Sequence, residues 1–578
     1  MWINYLDQAL LLAALAVTVN LLVGYAGQVS VAHAAFAGVG GYAVCFLAGL
    51  HGWPYLASLA VAVLVTTVLG VLIGLIALGL AEEFLILMTL AFSLGIIGVL
   101  ATFDALGGVT GITGVDGLRL FGVELDTPAD WLVPSAVVLA LVFAVCRRLG
   151  ESPYGQVLKG IREDAVATRA LGKNTFGYKI GIFAITSGLT GLVGGLYSGW
   201  LGQATPSAYG FPLAMAVFAM VIVGGNANLA GSIAAGVVLT MIEPVLRQVL
   251  AVQSTQAALV QVVLYGALLL LVMLVRPQGL FRERPRKIAI PAAPAAPAPR
   301  ASSDFEPRAR TSPRPAPADR TPYAEADVVL RAEGLSKRFG GITAAKNIDL
   351  ELRRGTVTAL VGPNGAGKTT AFNLLTGTVV PDTGSVTLNG AELVGMRPDL
   401  IVRAGLARTF QDVRLLDRLT CLENVMLAVP GQPGERLGRL FAPGRAISRA
   451  DREAAAEAMR WLEFVGMADQ AAAPADALSY GQSKLVSLAR ALATRAEVLL
   501  LDEPASGVDA AWVETMLAMV AAVRDEGRTV CLVEHNLDVV RRLADHTCFM
   551  ELGEITASGT LDELTGSARL AEAYFGAQ

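Results

Sequence analysis

The feature that most constrains this chain is a succession of apolar runs that fills its first half and stops after Phe281. Runs of about 17–25 apolar residues can cross a bilayer as helices, because a helix pairs its own backbone N–H and C=O groups where no water can. Candidate spans run from Ala9 to Gly24, Val31 to Leu50, Tyr55 to Leu80, Phe84 to Phe103 and Trp131 to Val145. Others run from Tyr178 to Leu201, Phe211 to Val223, Gly231 to Leu250 and Ala257 to Val275. The pattern predicts a multi-span α-helical membrane bundle of roughly nine crossings, in which short Gly-rich runs could be broken or re-entrant. Only 16% of the residues are charged, against about 25% in an average soluble domain. No cleavable signal peptide is expected, since the first apolar run leads into further ones instead of ending at a small-residue cleavage site. Cys45, Cys146, Cys421, Cys531 and Cys548 form no CxxC pair. They read as small buried hydrophobes, not as a disulfide framework or zinc site.

Charge orients the bundle. Arg147, Arg148, Lys159, Arg162, Arg169 and Lys173 crowd one stretch, and Arg282, Arg284, Arg286 and Lys287 another. Both should be cytoplasmic by the positive-inside rule. The loop from Asp104 to Asp130 holds Asp116, Glu124 and Asp126 against Arg119 alone, which suits the outside. Four spans separate the two basic stretches, an even number, so both can lie on one side. Gln28 and His33 lie in or beside a span, where a polar side chain lines a route or bonds a neighbouring helix; the second role is expected. Glu243, near a span end, should snorkel to the interface.

From residue 282 to 325 the composition turns to Pro, Ala, Arg and Ser, including PAAPAAPAPR. Such a segment buries too little apolar surface to fold and reads as an extended cytoplasmic linker that could touch anionic lipid headgroups. From residue 326 to 578 short apolar strands such as Val357–Val361 and Val498–Leu501 alternate with amphipathic helices, the pattern of an α/β domain. A formal net charge of −4 argues against nucleic acid as the main partner.

The sequence GPNGAGKTT, Gly362 to Thr370, follows a strand and matches the phosphate-binding loop pattern GxxxxGK[ST]. Gly362, Gly365 and Gly367, with Asn364 between them, let backbone N–H groups wrap phosphates, and the helix that follows turns its positive end to them. Lys368 can reach the β- and γ-phosphates of ATP, the Thr369 hydroxyl can bind Mg²⁺, and Thr370 extends the loop. Asp502 and Glu503 end a second apolar strand. The first is placed to hold the metal and the second to orient or deprotonate water. The α/β domain therefore reads as a P-loop NTPase.

LSYGQ at Leu478–Gln482 resembles the signature of ABC ATPases, which other P-loop ATPases lack. Gln411 in ARTFQ resembles the Q-loop glutamine, Asp509 in ASGVDA the D-loop aspartate, and His535 in LVEHN the switch histidine. Phe339 in KRFGG sits where that family stacks an aromatic ring on adenine. The resemblance implies that Gln411 senses Mg²⁺ and water and that His535 contacts the γ-phosphate. It also implies that Ser479, Gly481 and Gln482 grip the ATP held by an opposite subunit. Tyr480 replaces the commoner second glycine of the signature, a substitution that recurs in amino-acid importers. Two such domains sandwich two ATP molecules in that family, so one domain implies a second half, identical or different.

The N-terminal stretch NLLVGYAGQVSVAHAAFAGVGGY, Asn20 to Tyr42, resembles the permease of the high-affinity branched-chain amino-acid transporters. GGVTGITG (Gly107–Gly114), GQVLKGIREDAVATRALG (Gly155–Gly172), EPVLR (Glu243–Arg247) and RPQGLF (Arg276–Phe281) extend the likeness, with Ala32 standing where the family more often has Gly. The ATPase half resembles that system's ATP-binding subunit. By analogy Gly155–Gly172 would be a coupling element seated near Gln411. The implied protein is a permease (1–281) fused through a linker (282–325) to an ABC ATPase (326–578) in a bacterial plasma membrane. It would take a hydrophobic amino acid from an extracytoplasmic binding protein. Import of urea, short amides or other amino acids, export, and a membrane-tethered ATPase that transports nothing are the alternatives.

Overall fold

The computed structural model describes residues 2–77, 79, 82–115, 118–120, 122–248, 254–276, 278–283, 322–440, 444–507 and 510–566. Most of the expected linker, 284–321, and Asp509 of the expected D-loop lie outside them. The chain divides into two units.

The first unit takes in residues 1–163, 175–286 and 435–441. Its helices are α1 (Trp2–Asn20), α2 (His33–Val44), α3 (Tyr55–Ala77), α4 (Glu82–Thr102), α5 (Pro128–Gly150) and α6 (Pro153–Glu163). After α7 (Ala165–Arg169), which belongs to the second unit, come α8 (Thr175–Leu201), α9 (Phe211–Gly224), α10 (Leu229–Gln248) and α11 (Ser254–Val275). Among the described residues eight helices are long and apolar enough to cross a membrane. The ninth expected run forms α11, whose qualifying apolar stretch, Val263–Val275, is shorter. Two of the Gly-rich runs depart from α-helical geometry, at the π-helical turns Leu21–Tyr25 and Cys45–Leu50. Outside the helices, β1 (Ile112–Thr113) pairs with β4 (Gln203–Ala204), and β2 (Arg119–Leu120) with β3 (Val123–Glu124).

Small residues set how closely these helices pack. α8 lies against α2 and α3, and α1 against α5 and α10. A Cβ placed on Gly40 of α2 would sit 2.2 Å from the Gly191 carbonyl oxygen of α8, so the two backbones meet where only glycine fits. Asn20 fixes another crossing. Its Nδ2 donates to Gly225 O at 2.9 Å and Ser232 Oγ at 2.6 Å, and its Oδ1 accepts from Ala227 N at 2.8 Å. The buried amide thereby closes the turn between α9 and α10, where Ala227 holds the left-handed φ of 56°.

Lys159 Nζ lies 2.7 Å from one oxygen of Glu283 and Arg162 Nη2 3.0 Å from the other, so these two cations of the first basic stretch meet the described start of the second, which agrees with both lying on one side. Burial works against the charge of Glu283, but these two cations hold its carboxyl below the usual range. The expectation for His33 fails. Among the described residues both ring nitrogens are buried without a hydrogen-bond partner, and the ring packs edge-on against Phe36 and Phe183. Aromatic packing, not a bond to a neighbouring helix, holds it. Gln28 Nε2 bonds locally, to Ala26 O. Glu243 pairs with Arg247 one turn along α10 at 3.3 Å. All five cysteines are free and buried, as expected.

The second unit takes in 164–174, 287–434 and 442–578. Its strands are β5 (Val328–Phe339), β6 (Ile342–Arg353), β7 (Val357–Val361), β8 (Thr383–Leu388), β9 (Ala391–Glu392) and β10 (Leu406–Arg408). Then follow β11 (Val498–Asp502), β12 (Thr529–Val533), β13 (His546–Glu551) and β14 (Glu554–Gly559). One sheet runs β10-β11-β12-β7-β13-β14, parallel except for its last strand, and a second, antiparallel sheet runs β6-β5-β8-β9. β7, β11 and β12 are buried at every residue, which is why they read as unbroken apolar runs. The helices are α12 (Lys368–Leu375), α13 (Pro398–Ala404), α14 (Cys421–Ala428), α16 (Gly444–Phe464), α17 (Tyr480–Ala493), α18 (Ala510–Asp525), α19 (Leu537–Leu543) and α20 (Leu561–Thr565), while α15 (Leu437–Leu440) belongs to the first unit.

The segment Gly155–Gly172 is divided: residues 155–163 belong to the first unit and 164–172 to the second. Within the second, Asp164 caps α7 by accepting from Val166 N and Ala167 N, both at 2.8 Å, and pairs with Arg414 at 3.1 Å. Arg403 donates to Gly172 O at 3.0 Å. Arg414 stands three residues after Gln411.

Candidate active site

The site gathers at the carboxyl ends of β7, β11 and β12, neighbours in the sheet although far apart in sequence. In parallel α/β sheets this edge is where loops converge on a ligand. β7 ends at Val361 and passes directly into the loop Gly362–Gly367. Gly365 and Gly367 hold φ of 82° and 100°, a region costly for side chains bearing a Cβ, and a Cβ on Gly367 would lie 2.4 Å from Ala344 O. Asn364, Gly365 and Thr369 are exposed, so the loop faces solvent. Lys368 is buried, and its Nζ turns back to donate to Gly362 O at 2.8 Å and Pro363 O at 2.9 Å. Burial draws its amine down from the ordinary lysine value, partly offset by Glu503 and Asp502 nearby. The loop is a cradle of backbone dipoles with one cation at its base, and it fits a chain of phosphates.

Asp502 is the last residue of β11, and Arg408 the last of β10 beside it. Their side chains pair at 2.9 Å in the interior, and Arg408 also donates to Asn373 Oδ1 at 2.5 Å. Burial pushes the Asp502 carboxyl up, and Arg408 offsets part of that rise. Glu503 follows with φ of 48°, a left-handed conformation that costs about 1–3 kcal/mol in a non-glycine residue. The turn carries its carboxylate between two other predicted residues. Gln411 Nε2 donates to one oxygen at 3.1 Å, and His535 Nε2 lies 3.0 Å from the other. Three residues taken from separate loops by sequence thus form one cluster.

Ser479 is the N-cap of α17. Its Oγ accepts from Gln482 N at 3.4 Å, and Gln482 Oε1 accepts from Ser479 N at 2.9 Å, a reciprocal capping box. Gly481 presses on the Trp512 indole: a Cβ there would lie 3.1 Å from the ring. Phe339 ends β5 half exposed, with Lys337 Nζ 5.9 Å from its ring centre. Among the described residues no three His, Cys, Asp or Glu side chains cluster to hold a metal unaided. Thr369, Asp502 and Gln411 carry oxygen atoms, the donor type that Mg²⁺ takes.

Three residues at the site are absent from the sequence-derived set: Arg408, Lys484 and Glu534. Lys484 Nζ donates to Glu503 O at 2.7 Å and Ser506 O at 2.5 Å. Glu534 accepts from Ala505 N at 2.8 Å and His535 N at 3.3 Å. Each lies inside or beside a quoted motif, and a charged residue bordering an apolar strand or helix face was the available signal.

A phosphate cradle, a strand-end acid, and a glutamate held by glutamine and histidine define an ATP-hydrolysing domain in a chain that also carries a multi-pass helical unit. An ABC transporter ATPase family model matches residues 345–506, and the model of the branched-chain amino acid transport system permease component matches residues 1–273. The high-affinity branched-chain amino acid transport ATP-binding protein BraF of Pseudomonas aeruginosa is 37% identical over 253 residues, 43% of this chain and 98% of its own length. LivG of Salmonella typhimurium, an ATP-binding protein of the same description, is 38% identical over 251 residues, 98% of its length. A crystal structure of a nucleotide-free ATP-binding cassette from an ABC transporter aligns over 43% of this chain and all of its own, at 30% identity and a TM-score of 0.39. The chain belongs to the branched-chain amino acid ABC transporter family, with the permease and the ATP-binding component fused in one polypeptide.

Proposed function

We propose that this protein imports branched-chain or related hydrophobic amino acids across the bacterial plasma membrane, driven by ATP hydrolysis in its second unit. The observation that carries the reading is the convergence of Gln411 and His535 on Glu503, in a chain whose two parts each match one component of a single transport system. The division proposed is a permease over 1–281, a linker over 282–325 and an ATPase over 326–578.

In this reading the N–H groups of Gly362, Asn364, Gly365, Gly367 and Lys368–Thr370 wrap the phosphates. Lys368 exchanges its loop carbonyls for phosphate oxygens, and Phe339 covers the adenine. Mg²⁺, held through Thr369, Asp502 and Gln411, supplies neutralising charge to the phosphate oxygens. Glu503 accepts a proton from the attacking water while Gln411 and His535 fix its two oxygens. Ser479, Gly481 and Gln482, with Asp509, face the nucleotide of a second ATPase. The partners are therefore a second permease–ATPase half and an extracytoplasmic binding protein that delivers the amino acid.

The test is ATP turnover by the purified transporter with and without leucine-loaded binding protein. The loaded protein should raise turnover, and Glu503→Gln should lower it about 10²–10⁴-fold while ATP still binds. Turnover indifferent to the loaded protein would make the chain a tethered ATPase. Wild-type turnover in Glu503→Gln would remove the assigned base.

A further inference from the structure

We infer that Lys484 and Glu534 are positioning residues for hydrolysis, which together fix the backbone of Glu503–Ser506 so that the Glu503 carboxylate meets Gln411 and His535. The inference rests on the reading of Glu503 as general base.

The segment 503–506 is a tight turn entered through a left-handed residue, with Glu503 at φ 48° and Ser506 N donating to Glu503 O at 3.2 Å. A conformation of this kind persists only where its surroundings over-determine it. Two buried charges bond to the turn. Lys484, 6% exposed, donates to the carbonyls at both ends of the turn, Glu503 O and Ser506 O. Glu534, 2% exposed, accepts the N–H of Ala505 in its middle and that of His535 outside it. The cation meets carbonyls and the anion meets amides, and each charge is buried, so its bonds are strong. Burial draws the Lys484 amine down, with Glu534, Glu503 and Asp502 offsetting it, and burial pushes the Glu534 carboxyl up.

The placement of the two anchors adds a consequence. Glu534 immediately precedes His535, so one carboxylate holds both the turn that begins at the base and the backbone N–H of its histidine partner. Lys484 rides on α17, the helix capped by Ser479. A displacement of that helix would be passed to the turn through two short charge-assisted bonds, one to Glu503 O and one to Ser506 O. The bonds of both residues go to backbone groups; both act through Glu503.

The experiment compares Lys484→Met, Lys484→Arg and Glu503→Gln in the full-length protein, purified as the assembled transporter, by kcat and KM for ATP and by ADP affinity. Lys484→Met should lower kcat about 10–100-fold while KM and ADP affinity stay within about threefold. Lys484→Arg, which can still donate to both carbonyls, should restore most of the rate. The double variant with Glu503→Gln should be no slower than Glu503→Gln alone, because the lysine works through that carboxylate. Wild-type kcat in Lys484→Met, an arginine variant as slow as the methionine one, or a multiplicative double variant would each overturn the inference. Should Lys484→Met fail to fold, Glu534→Gln decides: reduced kcat at unchanged KM supports the clamp, and wild-type kcat refutes it. An active Glu503→Gln removes the base assignment itself, whereas an active Lys484→Met beside an inactive Glu503→Gln removes only the clamp.

Discussion

Arg408 and Asp502 form an ion pair at 2.9 Å across two neighbouring parallel strands, with side chains 5% and 1% exposed. Removing one partner of such a pair leaves an uncompensated buried charge, at about 3–5 kcal/mol. Arg408→Met should therefore melt well below the wild type, and Asp502→Asn added to it should recover part of the loss. Burial already raises the Asp502 carboxyl, and without Arg408 it rises further. An acid whose folded pKa is raised favours the fold most below its unfolded value, and that advantage is lost as pH rises through the folded one. The deficit of Arg408→Met should thus narrow in acid. A variant that melts with the wild type at every pH would contradict the account.

His546 stacks on Tyr323 with ring centres 4.3 Å apart and planes within 9°. Arg353 lies over the same tyrosine ring and donates to Ala324 O and Ala326 O, so the residues at the close of the expected linker fold onto the ATPase domain. Burial, and then Arg353, draw the imidazole below its ordinary value. A base lowered in this way contributes stability above about pH 6.5 that is lost as pH falls through its folded value. His546→Phe keeps a ring and removes the titration, so the acid limb of melting temperature against pH should flatten. An unchanged acid limb would show that the stack carries no linkage.

Asn20→Leu should disrupt the first unit. The leucine leaves Ala227 N without its amide partner, at about 1–3 kcal/mol for an unsatisfied group, and removes one of the two donors to Gly225 O. It must also fit where Gly24 lies against Asn20 Oδ1. The expected readout is a lower melting temperature of the detergent-purified protein and a smaller folded fraction by size exclusion. Wild-type behaviour in both would show that the turn between α9 and α10 holds without Asn20.

Lys368→Ala should lose nucleotide binding while membrane insertion is kept, because the lysine's bonds go to its own phosphate loop. Titration with a fluorescent ATP analogue, beside the amount of protein in the membrane fraction, reads the two separately.

Much of this was legible in the sequence, for physical reasons. Among the described residues, eight of the nine apolar runs form helices long and apolar enough to cross a membrane, because hydrocarbon demands length and apolarity in one unbroken segment. Gly362–Thr370 announced its loop because the strand, glycines and lysine are contiguous. Gln411, Glu503 and His535 were each marked by a local motif. Their meeting depends on a strand order, β10-β11-β12-β7, that no local pattern states. The roles of Arg408, Lys484 and Glu534 were hidden for the same reason, since their partners lie 94, 19 to 22 and 29 residues away. His33 misled because polarity inside a span suggests a hydrogen bond, and here two phenylalanine rings enclose it instead.

The most direct test of ATP-driven import is uptake of labelled leucine into proteoliposomes that carry the assembled transporter, with ATP inside and leucine-loaded binding protein outside. The wild type should accumulate leucine against its gradient, and neither Lys368→Ala nor Glu503→Gln should do so. Accumulation by either variant equal to wild type, or steady ATP consumption by the wild type with no leucine entering, would contradict the account.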